Sequence, residues 1–348
     1  MTYAKNRALI SVIAAACAST TLLAATRTAN AQDGAAFYSG KTLEMIVGYP
    51  PGGSNDLYAR LVANNIGRHV PGAPRVITQN MPGAGSLVAA NYIYNVAPKD
   101  GTILGAVSQG IPLQGTLGHP QARYAASKFN WLGRIAPSGN VTMVWHTSKA
   151  MSFDDALKQE IVLGATGAGS TVALYPSVMN EILKTKFKLV MGYKGSPEAM
   201  LAMERGEVEG HSTTWDVVKA VHPAWFKEGK IRVLVQHSLT RHPNLHDVPT
   251  SVELAKTEAD RAVMRTIMSS AEVGKAYFTT PGVSPERVAV LRRSFDAMLK
   301  DPQFLDGLVK VGGDLAPISG QDLQNLIAEL DALPQDLIER VKSVYNEQ

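Results

Sequence analysis

The 348-residue chain carries 34 basic and 30 acidic residues and a single cysteine, Cys17. A nearly balanced charge without a long Lys/Arg run argues against a nucleic-acid partner, which needs a basic footprint. One cysteine rules out an intrachain disulfide, and a chain of this length buries a core large enough to do without one.

Lys5 and Arg7 precede an apolar run from Ala8 to Ala25, and Ala29-Asn30-Ala31 follows it, the layout of a cleaved secretory signal. The mature chain is expected to begin near Gln32. Its formal charge then falls from +4 to +1, because Lys5, Arg7 and Arg27 leave with no acid, and the pI of 9.0 overstates its basicity. Ser11, Cys17, Ser19, Thr20 and Thr21 dilute the run, which speaks against a membrane anchor, and no later segment is apolar and long enough to span a bilayer.

Leu43, Met45, Ile46 and Val47 read as a strand buried on at least one face. Leu57, Leu61, Val62, Ile66 and Val70 recur at helical spacing after it. The connection is Tyr49-Pro50-Pro51-Gly52-Gly53-Ser54-Asn55-Asp56, with Ser54 or Asn55 as the expected cap. First-turn N–H groups have no intrahelical partner and carry the positive end of the helix dipole, so a carboxylate or phosphate docked on Gly52-Gly53 needs no arginine. A tight turn without a ligand is the competing reading of this loop by itself.

Val76 to Thr78 is the next expected strand, Ser86 to Asn95 a helix, and Ile103 to Val107 a third strand. Strands alternating with helices imply a parallel sheet whose ligands bind at the carboxyl ends of the strands. The Tyr49 to Asp56 loop, Pro82-Gly83-Ala84-Gly85-Ser86 and Ser108-Gln109 all follow strands and belong on one edge. A second series begins near Val141, with strands expected at Val141 to Trp145, Ile161 to Ala165, Leu189 to Tyr193, Val208 to Thr213 and Ile231 to Val235. Two series suggest two lobes. Thr166-Gly167-Ala168-Gly169-Ser170-Thr171 repeats the Gly-rich strand-to-helix logic in the second of them.

Tyr193-Lys194-Gly195 and Thr213-Thr214-Trp215-Asp216 follow further strands. Trp215 is either a pocket wall or a core residue. Asp216 caps the next helix, orients water or meets a ligand amine, capping being the safer reading. Lys194 either adds a charge for an anion or is an ordinary surface lysine. Gln236 to Pro249 reads as a loop, Ala276 to Thr279 as a strand, and Ser284-Pro285 opens a helix running through Leu299. Gln321 to Tyr345 reads as helix interrupted at Pro334.

Rival chemistries fail on particulars. Gly164 to Thr171 lacks the lysine of a phosphate-binding P-loop, and Gly83-Ala84-Gly85 and Gly167-Ala168-Gly169 lack the third glycine of a dinucleotide fingerprint. There is no G-x-S-x-G elbow and no H-E-x-x-H pair. His242 and His246 stand four apart, but Pro243 and Asn244 make the segment a loop, so no metal site is expected. Nothing in the spacing of Ser170, His211 and Asp216 favours a hydrolytic triad.

The ordered set of Leu43 to Asp56, Asn80 to Gly85, Ala97-Pro98-Lys99-Asp100-Gly101, Gly167 to Thr171, Tyr193-Lys194-Gly195-Ser196-Pro197-Glu198-Ala199, Asp247-Val248-Pro249-Thr250 and Pro281-Gly282-Val283-Ser284-Pro285 resembles the solute-binding receptors of tripartite tricarboxylate transporters, the Bug family. The resemblance implies an α/β fold of the type II, Venus-flytrap kind, two-lobed like other periplasmic binding proteins, each lobe a mostly parallel sheet flanked by helices. It implies lobe 1 from 32–139 and 237–348 and lobe 2 from 140–236, after the signal at 1–31. It further implies a monomer without cofactor or catalytic residues that captures a small carboxylate and delivers it to a membrane permease of one large and one small subunit.

The binding residues expected, from the resemblance and from the strand-end positions together, are Tyr49, Pro51, Gly52, Gly53, Ser54, Asn55, Asp56, Gly83, Ala84, Gly85, Ser108 and Gln109 from one lobe. Gly167, Ala168, Gly169, Ser170, Thr171, Tyr193, Thr214, Trp215 and Asp216 come from the other. The sequence departs from the family pattern at Gly210 to Asp216, at Ala173-Leu174-Tyr175-Pro176 and over Val263 to Thr279, near the expected distal end of a ligand. Tyr175 and Trp215 would favour an aromatic acid, whereas Gln109, Ser212, Thr213 and Thr214 would favour a second carboxylate, which is the preferred expectation. Other readings are a ligand-sensing subunit for a membrane signalling partner, a secreted hydrolase built on Ser170, and an assembly or chaperone module without a small ligand.

Overall fold

In the computed structural model the described residues are 37–167 and 170–346. The expected secretory signal at 1–31, Ala168 and Gly169 lie outside them. No helix among these residues is long and apolar enough to cross a membrane.

Eleven strands build two sheets among the described residues. The first contains β1 (Thr42–Val47), β2 (Arg75–Asn80), β3 (Ile103–Ala106), β4 (Asn130–Arg134), β10 (Ala276–Thr279) and β11 (Ile318–Ser319), in the order β11-β4-β10-β3-β1-β2. The second contains β5 (Asn140–Trp145), β6 (Ile161–Gly164), β7 (Phe187–Val190), β8 (Gly210–Thr214) and β9 (Ile231–His237), in the order β7-β6-β8-β5-β9. The parallel cores expected from the βα alternation are β2-β1-β3 and β7-β6-β8. Antiparallel strands extend both, so each sheet is mixed: β10, β4 and β11 join the first and β5 and β9 the second. The added strands flank the two crossings between sheets, 135–139 and 238–275, where the chain returns instead of continuing a βα wind.

The helices are α1 (Ser54–Ile66), α2 (Leu87–Asn95), α3 (Ile111–Thr116), α4 (Phe153–Lys158), α5 (Thr171–Leu183), α6 (Ser196–Glu204) and α7 (Trp215–Val221) in the first two-thirds of the chain. After β9 come α8 (Glu258–Met268), α9 (Ser270–Val273), α10 (Pro285–Met298), α11 (Pro302–Lys310), α12 (Gly320–Asp331) and α13 (Gln335–Asn346). Side-chain alternation in β1 divides the first core. Leu43, Met45 and Val47 meet Tyr58, Val62 and Ile66 of α1 with Leu291, Phe295 and Phe304, while Ile46 faces Leu87, Ala90 and Ile93 of α2 with Trp131, Phe278 and Ile327. In the second sheet Val144, Ile161 and Leu163 pack with Leu174 and Val178 of α5, and Val141 and Met143 pack with Met200, Met203 and Trp215 on the other side.

The chain beyond β9 serves both layers. β10, β11, α10 and α12 pack in the first, whereas Val263, Met264 and Ile267 of α8 and Ile338, Val341 and Val344 of α13 join the core around α5. β4 and α8 are among the elements absent from the sequence reading. β4 is five residues whose partners, β10 and β11, lie more than a hundred residues away, so no local period marks it. α8 does carry a local mark, because the Thr257 hydroxyl accepts from Asp260 N at 3.0 Å as a helix cap. β7 ends at Val190, earlier than expected, because β6 ends opposite it at Gly164 and the ladder runs out. Tyr193 is thereby released into the loop beyond.

Candidate functional site

The carboxyl ends of β1, β2, β6 and β7 open into loops that face one another across a cleft of about 970 Å³ between the two sheets. The loops are 48–55, 82–86, 166–171 and 193–198, and each precedes a helix N-terminus: α1, α2, α5 and α6.

In the first loop Gly53 is the N-cap of α1 and no side chain caps it, so neither Ser54 nor Asn55 plays that role. Gly52 takes a φ of +87°, which favours glycine. The stitching is done by Asp56, whose Oδ2 accepts from Gly52 N and from Arg60 Nε, both at 2.9 Å. Its Oδ1 accepts from Asn80 Nδ2 at 2.7 Å, and Arg60 reaches on to Thr78 Oγ1 and Asn80 Oδ1, each at 2.8 Å. Burial pushes the Asp56 carboxyl up, but the hydrogen bonds from Arg60, Asn80 and Gly52 outweigh it and leave the group below the ordinary aspartate value. Asp56 is 1% exposed and, contrary to the expectation from sequence, does not line the cleft. It splints the loop from behind, leaving the Ser54 and Asn55 amides without intrahelical acceptors at the cleft face.

The second loop is a run of positive φ: Gly83 (142°), Ala84 (45°), Gly85 (62°) and Ser86 (79°). Two of these are not glycines, and such strain persists only where the surroundings hold it. The Ser86 hydroxyl donates to Gly48 O at 2.8 Å, locking the second loop onto the first. Gly48 must lack a side chain there, since a Cβ would lie 2.5 Å from Ser86 Oγ.

From the second sheet, Ser170 Oγ donates to Gly167 O and accepts from Thr166 Oγ1, each at 2.7 Å. The hydroxyl is committed to its own turn, and no histidine is among the described cleft residues. His211 Nδ1 meets Gly164 O at 2.7 Å instead, and burial drives that ring down to a pKa of about 4. Before α6, Lys194 N donates to Glu198 Oε2 at 2.6 Å, and Ser196 Oγ and Thr213 Oγ1 lie 2.9 Å apart.

Of the residues expected from sequence, Tyr49, Pro51, Gly52, Gly53, Ser54, Asn55, Gly83, Ala84, Gly85, Ser108, Gln109, Gly167, Ser170, Thr171, Tyr193 and Thr214 line this one cleft. Ala168 and Gly169 fall outside the described residues. Trp215 and Asp216 do not line it. Trp215 is 4% exposed and packs edge-on to Phe226 at 5.3 Å, a core residue under the second sheet. Asp216 is paired elsewhere: its Oδ2 lies 3.5 Å from Lys275 Nζ, and that ammonium donates to Asn55 Oδ1 at 2.9 Å and sits 5.0 Å over the Tyr58 ring. Sequence reading missed Asn140, Ser196 and Glu198 as cleft residues; the Gly195-to-α6 turn was a usable signal for the last two, whereas Asn140 had none. Lys194 and Glu198 are the charged residues among the described lining. The rest is backbone amide, hydroxyl, carboxamide and apolar surface, a lining that holds an anion by oriented dipoles without a fixed counter-ion.

The profile of the tripartite tricarboxylate transporter family receptor matches residues 58–342. The chain belongs to this receptor family. The receptor is 24% identical to protein BugT of Bordetella pertussis over 302 residues, covering 84% of this chain and 86% of that one. Among solved structures it is similar to MatC of Rhodopseudomonas palustris with bound malate, at 21% identity and TM-score 0.65, covering 88% of this chain and 99% of MatC. R. palustris Rpa4515 with adipate matches at 22% identity and TM-score 0.66, covering 88% and 98%. The receptor thus has the two-lobed α/β fold of periplasmic binding proteins.

Proposed function

We propose that this receptor captures a small organic acid in the cleft between the sheets and presents it to a tripartite-type membrane permease. The observation that carries the reading is the convergence of four helix-opening loops, two from each sheet, on one cleft whose described lining holds a single cation and a single acid. One carboxylate rests on the amides after Gly53 and on the 83–86 loop, where dipoles supply the positive field. MatC with bound malate and Rpa4515 with adipate both hold aliphatic dicarboxylates, which supports an aliphatic acid here. Closure on the ligand gives the permease a shape to recognise. Lobe 1 would comprise 32–139 and 237–348, lobe 2 140–236, and the mature protein would be a periplasmic monomer released from its signal at 1–31. The reading assigns no catalysis, consistent with a Ser170 hydroxyl tied into its own turn.

Gly53→Val tests the site. Nothing lies within 4 Å of a Cβ built there and φ is ordinary, so the variant should fold with an unchanged Tm. The added side chain obstructs approach to the amides, so wild-type protein should be stabilised by a carboxylate in thermal-shift and calorimetric titrations while the variant is not. A folded variant that binds like wild type would refute this placement.

A further inference from the structure

Asn140 opens β5 and Thr214 ends β8, and the two are register partners across an antiparallel pair. Residues directly opposite in such a pair project to the same face, with Cβ atoms about 5 Å apart. Both line the cleft. Asn140 is 1% exposed, and its Nδ2 lies 3.5 Å from Thr171 Oγ1. Its Oδ1 is buried without a hydrogen-bond partner among the described residues, and so is the neighbouring Thr214 Oγ1.

The two atoms ask for different things. A threonine hydroxyl donates or accepts, so either kind of ligand atom satisfies it. An amide oxygen only accepts, and a carboxylate oxygen also only accepts. A second carboxylate at this wall therefore leaves Asn140 Oδ1 unmade, and a buried acceptor left so reduces affinity on the order of tenfold or more. Ligand hydroxyl and ammonium groups supply the missing proton.

We propose that the ligand carries, beside the carboxylate held by the first-sheet loops, a hydrogen-bond-donating substituent that donates to Asn140 Oδ1, so that the cleft selects hydroxy- or amino-substituted acids over unsubstituted acids of equal length. The proposal rests on the carboxylate reading of the cleft and adds the polarity of its second-sheet wall. Asn140 is then a specificity-determining residue, and Thr214 a tolerant neighbour.

Calorimetric titration of the stripped full-length mature receptor with two matched sets tests it: succinate, malate and aspartate, and glutarate, 2-hydroxyglutarate and glutamate. Within a set the members differ only by hydrogen, hydroxyl or ammonium on one carbon. In at least one set a substituted member should bind about tenfold or more tighter than the unsubstituted diacid, and comparison of the hydroxy with the amino member distinguishes the two donors. In Asn140→Ala the ratio should fall towards one. Asn140→Asp keeps an acceptor at the position and should keep the preference, which covers the case of an Ala variant that fails to fold.

Equal affinities across each set in wild-type protein would overturn the proposal while leaving the carboxylate reading intact; that is the result expected if the amide presented Nδ2 to a second carboxylate. Survival of the full preference in Asn140→Ala, or its loss in Asn140→Asp, would also overturn it. Absence of binding by every acid would overturn the carboxylate reading and this inference together.

Discussion

Lys275→Met tests how the two layers are held together beneath the cleft. The Lys275 side chain is 2% exposed and that of Asp216 9%. At 3.5 Å and an effective dielectric constant of about 20, their attraction is roughly 5 kcal/mol before desolvation is counted. Burial lowers the Lys275 pKa, and the Asp216 charge works against that shift. Removing the cation leaves Asp216 buried and unpaired, and breaking a buried pair from one side costs about 3 to 5 kcal/mol. Lys275→Met/Asp216→Leu removes both charges and should recover most of the loss, short of about 1 kcal/mol for the Asn55 carboxamide that loses its donor.

Urea unfolding of the wild type, both single variants and the double variant gives the coupling directly. The expected coupling is about 2 to 4 kcal/mol, with the double variant more stable than either single one. Additive losses, with a coupling within about 0.5 kcal/mol of zero, would show that the two charges do not depend on each other and would refute the reasoning. Asp216 lies in the first turn of α7 under the second sheet and Lys275 precedes β10 of the first, so the pair joins the two layers.

Arg60→Ala should loosen the first loop from behind, since Arg60 joins Asp56 to Thr78 and Asn80. Half-exposure of the arginine keeps the stability loss near 1 kcal/mol, while ligand affinity should fall several-fold; an unchanged Kd would show that the loop holds its shape without the splint. The buried rings of His211 and His237 have pKa values lowered to about 4 and about 3 by burial, with the His211 bond to Gly164 opposing the shift. The unfolded chain takes up those protons near pH 6.5, so unfolding free energy should fall as pH drops from about 6.5 towards 4, by about 1.4 kcal/mol per unit for each histidine. Denaturant titrations at pH 7, 6 and 5 should show this slope, and His237→Phe should remove about half of it; stability independent of pH over that window would contradict neutral buried rings.

Legibility differed sharply between neighbouring residues. Gly52, Gly53, Gly83 and Gly85 were readable because a Gly-rich turn between a strand and a helix is a local signal, and these loops do line the cleft. Asp56, three residues on from Gly53, carried the same local signal yet turns inward to Gly52 N, Arg60 and Asn80, a choice fixed by β2 standing alongside. Asp216 and Trp215 were likewise placed by sequence at the mouth of a strand. The first is drawn to Lys275 and the second into the core against Phe226. Ser170 lay in the right loop, but its hydroxyl closes its own turn and faces Gly167 and Thr166.

The sequence by itself determined the alternation of strands and helices, the breaks at Gly and Pro, and the order of the cleft-lining loops. Those features depend on apolar period, capping and backbone freedom within a dozen residues. Only the tertiary structure decided that β4 sits between β10 and β11, that α8 and α13 cover the second sheet, and that Asn140 stands beside Thr214 in the cleft wall. Pairings across more than seventy residues are chosen by which buried surfaces and unpaired polar groups fit one another, and that complementarity exists only once the chain is folded.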